Sequence, residues 1–301
     1  MTTNGLKIGV ALGAGGAKGL AHIGALRVLE EYGIKPDLIT GSSMGAVIGA
    51  GYCLGMSLDE VESKAREFFS ENRIFSPNNF HYFHESLIRI EDIRKVFYEF
   101  VSDKTFEDCK IKFVAFGLDL EEGQEVVFSK GNLLDAVEAS SAYPGIFPPV
   151  FVDGKYVVDG GMLNSTPVDY LREQNMDVVI GIRTKNMTSR QYISAMVWDR
   201  FYNKPSALKN TKHGMLEQAK LNMNLMVHIL MRTIEVTGSL SEKISFLTGH
   251  PDIVMDPYTM DIGVLQFERI DEAVKAGEEA ARKEMPKLLE IINAKKKDLK
   301  K

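Results

Sequence analysis

Residues 38–54 read LITGSSMGAVIGAGYCL: a short apolar run, two serines flanked by glycines, and an apolar segment rich in Gly and Ala. The first run predicts a buried strand, and residues 46–54 predict a helix that packs closely on a sheet. Between them, Gly41-Ser42-Ser43-Met44-Gly45 matches G-x-S-x-G, a strand-to-helix turn that presents a serine hydroxyl at a sheet edge. Ser43 is therefore a candidate nucleophile. The structural alternative is a helix N-cap serine.

The segments around this stretch predict the rest of the sheet. Residues 6–12 form an apolar strand pattern, and helical spacing from Leu20 to Gly33 then leads into the strand at 38–40, which gives the strand-helix-strand unit of a parallel sheet. Hairpins are predicted at residues 112–128 and around Asp153-Gly154. We expect an α/β fold with a mainly parallel central sheet flanked by helices and a C-terminal helical region.

The chain length and the distribution of polar and apolar residues predict the domain organisation. A chain of 301 residues with 45% hydrophobic composition can bury a large core. Beyond the strand pattern at residues 178–182 the sequence turns polar and then helical, although residues 252–255 could add a final strand. We expect a catalytic α/β domain at residues 7–183 and a mostly helical extension at residues 184–301 packed on it.

Composition excludes several classes of protein. A net charge of -5 provides no drive toward nucleic acid. The two cysteines, Cys53 and Cys109, form no metal or disulfide motif, so we expect no metal and no cofactor. The start lacks the pattern of a secretory signal, and the apolar segment at 46–54 is too short to cross a membrane. We expect a cytoplasmic protein, with peripheral membrane contact open.

A glycine-rich loop, Gly13-Ala14-Gly15-Gly16-Ala17-Lys18-Gly19, follows the first predicted strand. Such a loop presents backbone N–H groups that can hold an anion. A dinucleotide fingerprint would need glycine in place of Lys18, and a P-loop would need its lysine later and followed by Ser or Thr. Both interpretations are weakened, although a nucleotide-binding oxidoreductase stays an alternative. The third candidate anion is the oxyanion of acyl transfer, which requires donors about 3 Å from the reacting carbon.

Asp159-Gly160-Gly161 ends a predicted strand in a sharp turn, so the carboxylate of Asp159 can face a site at the sheet edge. Alone, this pattern is more often a turn than a catalytic group. A serine triad would instead need a downstream histidine, and the sequence offers His213, His228 and His250, none within a supporting motif. A carboxylate can serve as the base only in a partly desolvated pocket.

These motifs, together with the segment ASSAYPGIFPP at residues 139–149, resemble the conserved blocks of the patatin-like phospholipase family in the same order. The resemblance covers roughly residues 7–183 and implies a three-layer α/β sandwich and a Ser-Asp dyad without histidine. It assigns Ser43 as nucleophile and Asp159 as base. The implied oxyanion hole is the backbone of Gly15, Gly16 and Ala17.

The resemblance implies a serine lipid acyl hydrolase that acts on a lipid or acyl-ester substrate through an acyl-enzyme. Lys18 stands where many members have arginine. The supporting motif positions are Gly13, Lys18, Gly19, Gly41, Gly45, Gly160 and Gly161. Phospholipase, lysophospholipase, general carboxylesterase or thioesterase activity and a non-catalytic regulatory role all remain open, as does the oligomeric state. The rings at residues 80–84 and the Met-rich residues 223–231 are weaker candidates for acyl contacts.

Overall fold

A computed structural model gives the structure of residues 5–67, 90–184, 233–234 and 236–299. The strands in these ranges are β1 (Ile8–Leu12), β2 (Leu38–Ser42), β3 (Lys112–Asp119), β4 (Glu125–Phe128), β5 (Val150–Val152), β6 (Lys155–Asp159), β7 (Val178–Ile182) and β8 (Ile253–Met255). The helices are α1 (Ala21–Glu31), α2 (Met44–Cys53), α3 (Leu58–Ala65), α4 (Ile90–Val101), α5 (Leu133–Ser140), α6 (Val168–Glu173), α7 (236–249) and α8 (Ile270–Asp298).

All eight strands belong to one sheet, in the order β5-β6-β3-β2-β1-β7-β8, with β4 paired to β3. The centre of the sheet is parallel: β2 and β7 flank β1, while β3 and β8 extend it on either side. The two hairpins, β3-β4 and β5-β6, are antiparallel. The predicted fold class, an α/β protein with a mainly parallel sheet and flanking helices, is confirmed.

The central strands are buried on both faces, as parallel strands covered by helices are. Alternate side chains of β1 point into different clusters. Ile8, Val10 and Leu12 join the larger cluster, which includes side chains of α1, α2, α5 and α8. Ala11 joins a smaller cluster on the opposite face with side chains of α6 and Phe246 of α7. The sheet therefore separates two layers of helices.

The sheet continues beyond residue 183, because β8 pairs in parallel with β7. Helix α8 packs along α1 at very short range. A Cβ atom added to Gly277 would lie 1.9 Å from the carbonyl oxygen of Ala21, so only glycine permits this approach. The C-terminal part shares the sheet and the larger core cluster with the preceding residues. The division of the chain at residue 183 stays a prediction.

Local sequence signals are confirmed in several elements. The segment Ser57-Leu58-Asp59-Glu60 has the sequence pattern of a capping box, and the structure has one at the start of α3, with Glu60 N donating to Ser57 Oγ and Ser57 N donating to Glu60 Oε2. Two helix starts differ from expectation. A 3-10 turn at Gly16–Leu20 precedes α1, and α2 begins at Met44 rather than at residue 46. Both helices thus begin at the edge where the predicted motifs lie.

Some expectations fall outside the described residues. They concern the rings at 80–84, the Met-rich segment at 223–231, and His213 and His228. Among the helices that the structure does describe, none has both the length and the apolar character needed to cross a bilayer.

Candidate active site

The strand register brings the predicted nucleophile and base to neighbouring positions. Along β3, Phe116 pairs with Ser42, and the next residue, Gly117, pairs with Asp159. Ser43 directly follows the end of β2, while Asp159 is the last residue of β6. Two sequence motifs more than a hundred residues apart therefore meet where β3 passes from one strand partner to the other.

Ser43 occupies the strained turn that its motif requires. Its φ of 55° and ψ of -123° lie outside the regions that L residues usually adopt. The turn is compact, because a Cβ atom on Gly45 would lie 2.1 Å from the carbonyl oxygen of Leu12. The serine is 8% exposed and occupies the N-cap position of α2, where free helix N–H groups favour negative charge. This is the conformation of a nucleophile elbow.

Asp159 is buried, and its carboxylate binds a proton more tightly than an ordinary aspartate does. Gly161 N donates to its Oδ1 at 2.8 Å, which uses one carboxylate oxygen within the turn itself. Burial raises the pKa of Asp159 to about 6, against the opposing effects of the Ser43 hydroxyl and the Gly161 N–H. Desolvation thus supplies the condition that a carboxylate needs in order to act as a base near neutral pH.

The contact between the two side chains is close without being a fully formed hydrogen bond. The Ser43 hydroxyl is near enough to lower the pKa of Asp159. Oδ2 of Asp159 nevertheless lacks a partner of good hydrogen-bond geometry among the described residues. The two side chains are therefore adjacent. In enzymes generally, the hydrogen bonds between catalytic groups are often long without substrate and tighten when it binds.

The glycine loop touches both of these turns. A Cβ atom on Gly19 would lie 2.7 Å from Cβ of Met44, the residue after the serine. A Cβ atom on Gly161 would lie 2.5 Å from Cβ of Ala14. The three predicted motifs therefore converge at the carboxyl ends of parallel strands, where α/β folds place their sites.

The loop N–H groups differ in availability. Ala17 N donates to the carbonyl oxygen of Val264 at 2.8 Å, so this donor is occupied. Gly15 N and Gly16 N have no acceptor among the described residues. Lys18, which stands in the arginine position of the family pattern, is 3% exposed. An oxyanion site built from this loop in its present conformation rests on Gly15 and Gly16, without Ala17.

Residues distant in sequence hold the loop in place. Gly13 N donates to Ile182 O at 2.9 Å, and Ala14 N donates to Ser165 O at 2.8 Å. Thr184 Oγ1 donates to Ala14 O at 2.5 Å. Together with Val264, these contacts fasten both ends of the loop to the later part of the chain.

His22 is a supporting residue to which sequence reasoning assigned no role. Its Nε2 donates to Gly13 O at 2.7 Å, and the ring is completely buried in α1. Burial lowers the pKa of His22 to about 4, which keeps the ring neutral at ordinary pH. Its position as the second residue of α1, close after the glycine loop, is the signal that could have indicated this contact.

Ser140 is a second residue whose part was missed. Its Oγ accepts a hydrogen bond from Ser43 N at 3.0 Å. Two residues later, Ala142 O accepts a hydrogen bond from Asp159 N at 3.1 Å. The structure therefore brings the start of the segment at 139–149 against both predicted dyad residues.

The described triad candidate lies elsewhere. His250 is exposed and precedes β8. Since β8 runs parallel to β7, this histidine lies at the amino end of the strands, opposite Ser43. A cavity of about 550 Å³ also lies at that end, where Lys7, Leu38 and Lys112 line it.

Among the described residues, no group of three or more His, Cys, Asp or Glu side chains could hold a metal.

The model of the family described as patatin-like phospholipase matches residues 10–172. The chain belongs to the patatin-like phospholipase family. All three motifs of this patatin-like protein lie within the matched residues. The family therefore accounts for the convergence of the elbow, the glycine loop and the Asp-Gly-Gly turn.

Relatives of this patatin-like protein are longer chains. It is 28% identical to an uncharacterized NTE family protein of Mycobacterium tuberculosis, over 92% of this chain and 46% of that protein. It is 26% identical to the lysophospholipase nte1 of Aspergillus fumigatus, over 91% of this chain and 18% of that protein. The crystal structure of VipD from Legionella pneumophila has 11% identity, covers 97% of this chain and 67% of its own, and gives a TM-score of 0.48. The chain spans less than half the length of both curated relatives.

Proposed function

We propose that this protein is a serine lipid acyl hydrolase that works through a Ser43-Asp159 dyad and an acyl-enzyme. One observation carries the proposal: a buried carboxylate with a pKa of about 6 lies beside a serine on a strained elbow. Such a group is ionised at neutral pH and accepts a proton more readily than an ordinary aspartate. Both properties are needed when no imidazole serves as the base.

The reaction follows from the positions of these groups. Ser43 Oγ attacks the carbonyl carbon of an ester as its proton passes to Asp159 Oδ2, the oxygen that the Gly161 N–H leaves unused. The tetrahedral intermediate collapses, and the alcohol leaves with the proton that Asp159 carried. Water then attacks the acyl-enzyme, gives its proton to Asp159, and releases the carboxylic acid as Ser43 recovers its hydrogen.

The proposed oxyanion hole consists of the N–H groups of Gly15 and Gly16. Both are free of other acceptors among the described residues, and their loop touches the elbow at Met44. Donors that are already oriented stabilise the developing negative charge without reorganising during the reaction. The helix dipole of α2 adds to this field at its N-terminus.

Family membership supports a lipid as the substrate, and the fungal relative, a lysophospholipase by name, supports a lysophospholipid in particular. A general carboxylesterase or thioesterase would use the same dyad. The two can be separated by comparing fatty-acid release from a long-chain lysophospholipid with hydrolysis of a short p-nitrophenyl ester. Cleavage of the short ester alone would favour the general esterase.

Covalent labelling tests the dyad serine directly. A fluorophosphonate probe should label Ser43 alone, because only an activated hydroxyl reacts quickly. Ser43→Ala should abolish both labelling and ester hydrolysis. Ser42→Ala is the matched control, since Ser42 Oγ donates to Asn164 O at 2.6 Å and is fully buried. Peptide mass spectrometry that finds the label on another serine, or hydrolysis that survives in Ser43→Ala, would overturn the proposal.

A further inference from the structure

A single turn after α5 contacts the backbones of both dyad residues. Ser140, the last residue of α5, accepts the Ser43 N–H through its side-chain oxygen at 3.0 Å. Ala142 accepts the Asp159 N–H through its carbonyl oxygen at 3.1 Å. Nucleophile and base come from different strands, and this turn joins them.

The Ser43 N–H needs an acceptor because the elbow takes it out of the sheet. Ser42 forms the last pair between β2 and β3, and the chain then bends to a φ of 55° at Ser43. The residue is buried, so an unpartnered N–H there would be costly. The Ser140 hydroxyl meets this need and at the same time fixes where the strained residue lies.

The turn itself is well anchored. Ser140 is fully buried. Ser141 N donates to Val137 O at 3.1 Å, and Tyr143 N donates to Ser141 O at 2.8 Å, so the segment after α5 is held by its own backbone. A fixed acceptor can hold the elbow, whereas a mobile side chain could not.

We propose that Ser140 is a positioning residue for the reaction, and that the turn from Ser140 to Ala142 sets the separation between Ser43 and Asp159. The inference rests on the proposed function, since it assigns a role within that dyad. Loss of the Ser140 hydroxyl would leave Ser43 present but misplaced relative to Asp159. Small displacements of this kind reduce turnover strongly and affect substrate binding less.

Ser141 provides a matched control. It follows Ser140 in the same turn, is 7% exposed, and its hydroxyl has no hydrogen-bond partner among the described residues. Ser141→Ala therefore removes the same atom from the same turn without touching the elbow. A merely structural role for the turn would make the two variants alike.

The experiment measures kcat and KM on a soluble p-nitrophenyl ester, together with the rate of fluorophosphonate labelling at Ser43. For Ser140→Ala we expect kcat and the labelling rate to fall together by roughly 10- to 100-fold, with KM within about twofold. Ser141→Ala should stay within about threefold of the native protein in all three. Circular dichroism and thermal unfolding check that both variants are folded.

Near-native turnover in folded Ser140→Ala, or equal losses in the two alanine variants, would overturn the inference. If Ser140→Ala does not fold, Ser140→Cys and Ser141→Cys replace the pair, because a thiol fills the site with a somewhat larger atom but accepts hydrogen bonds weakly. Equal turnover in those two variants would then reject it. Failure of the proposed function looks different, because native protein would not be labelled at Ser43 at all.

Discussion

The elbow at Ser43 and the glycine loop at residues 13–19 meet at one site but are held in different ways. The elbow is shaped by its near neighbours, since Gly45 packs against Leu12 and the turn lies within a single strand-helix-strand unit. The loop is fixed by acceptors and donors from far along the chain, among them Thr184 and Val264. The turn at Ser43 is therefore formed by nearby residues, with its position fixed by Ser140, whereas the proposed oxyanion donors depend on contacts from the C-terminal part of the chain.

Removing the proposed base, Asp159, tests the elbow in this comparison. Asp159→Asn keeps the shape of the side chain but accepts a proton poorly, so we expect kcat to fall by roughly 10³-fold on a soluble ester. His250→Ala, at the opposite end of the sheet, should leave turnover within about threefold of native. Inactivity of a folded histidine variant, or normal turnover in Asp159→Asn, would contradict the dyad.

Adding one methyl group at Gly16 tests the glycine loop in the same comparison. Gly16 has a φ of 54°, and a Cβ atom there would lie 2.3 Å from Val264 O, so Gly16→Ala must displace the loop. We expect kcat to fall on the order of 10²-fold while the fold is kept. This geometry makes alanine a better test than a larger side chain such as valine.

Gly123→Ala is the control for the loop substitution. Gly123 has a φ of 64° in the β3-β4 hairpin, where an added Cβ meets nothing within 4 Å. The substitution brings the same backbone strain and should leave kcat unchanged. If Gly16→Ala turned over at nearly the native rate, the oxyanion donors would lie elsewhere.

The smallest effect sharpens the comparison through stability. The pKa of Asp159 is raised from 3.8 to about 6, so the folded state binds its proton more tightly than the unfolded state does. Its contribution to stability is present below pH 3.8 and is lost as pH rises through about 6. Asp159→Asn should therefore gain stability over native protein as pH rises, by about 3 kcal/mol above pH 6.

The titration of His22, beside the glycine loop, changes stability with pH in the opposite direction. Its pKa is lowered from 6.5 to about 4, so the unfolded state binds the proton more tightly and stability falls as pH drops through that interval. Urea unfolding at pH 4, 5, 6 and 7.5 measures the difference between native protein and Asp159→Asn, in which the His22 contribution cancels. A difference independent of pH would show that Asp159 titrates normally.

Sequence reasoning reached the local features and missed the distant ones. The elbow, both hairpins and the Asp-Gly-Gly turn each carry their information within a few residues, and the structure has those elements. The occupation of the Ala17 N–H by Val264 could not be predicted, because no local pattern links residues so far apart. Ser140 lay inside a recognised segment, but its hydrogen bond depends on how α5 packs beside β3. The catalytic roles themselves stay predictions.

The close crossing of α8 over α1 also bears on the order in which the protein folds during synthesis. Gly277 lies against Ala21, more than 250 residues earlier in the chain. Val264, which accepts the Ala17 N–H, lies shortly before Gly277 in the sequence. Contacts of such long range form only after residues 264–277 have left the ribosome. A growing chain therefore forms the turn at Ser43 once β2, α2 and α5 have been made, and the glycine loop gains its support from Val264 later.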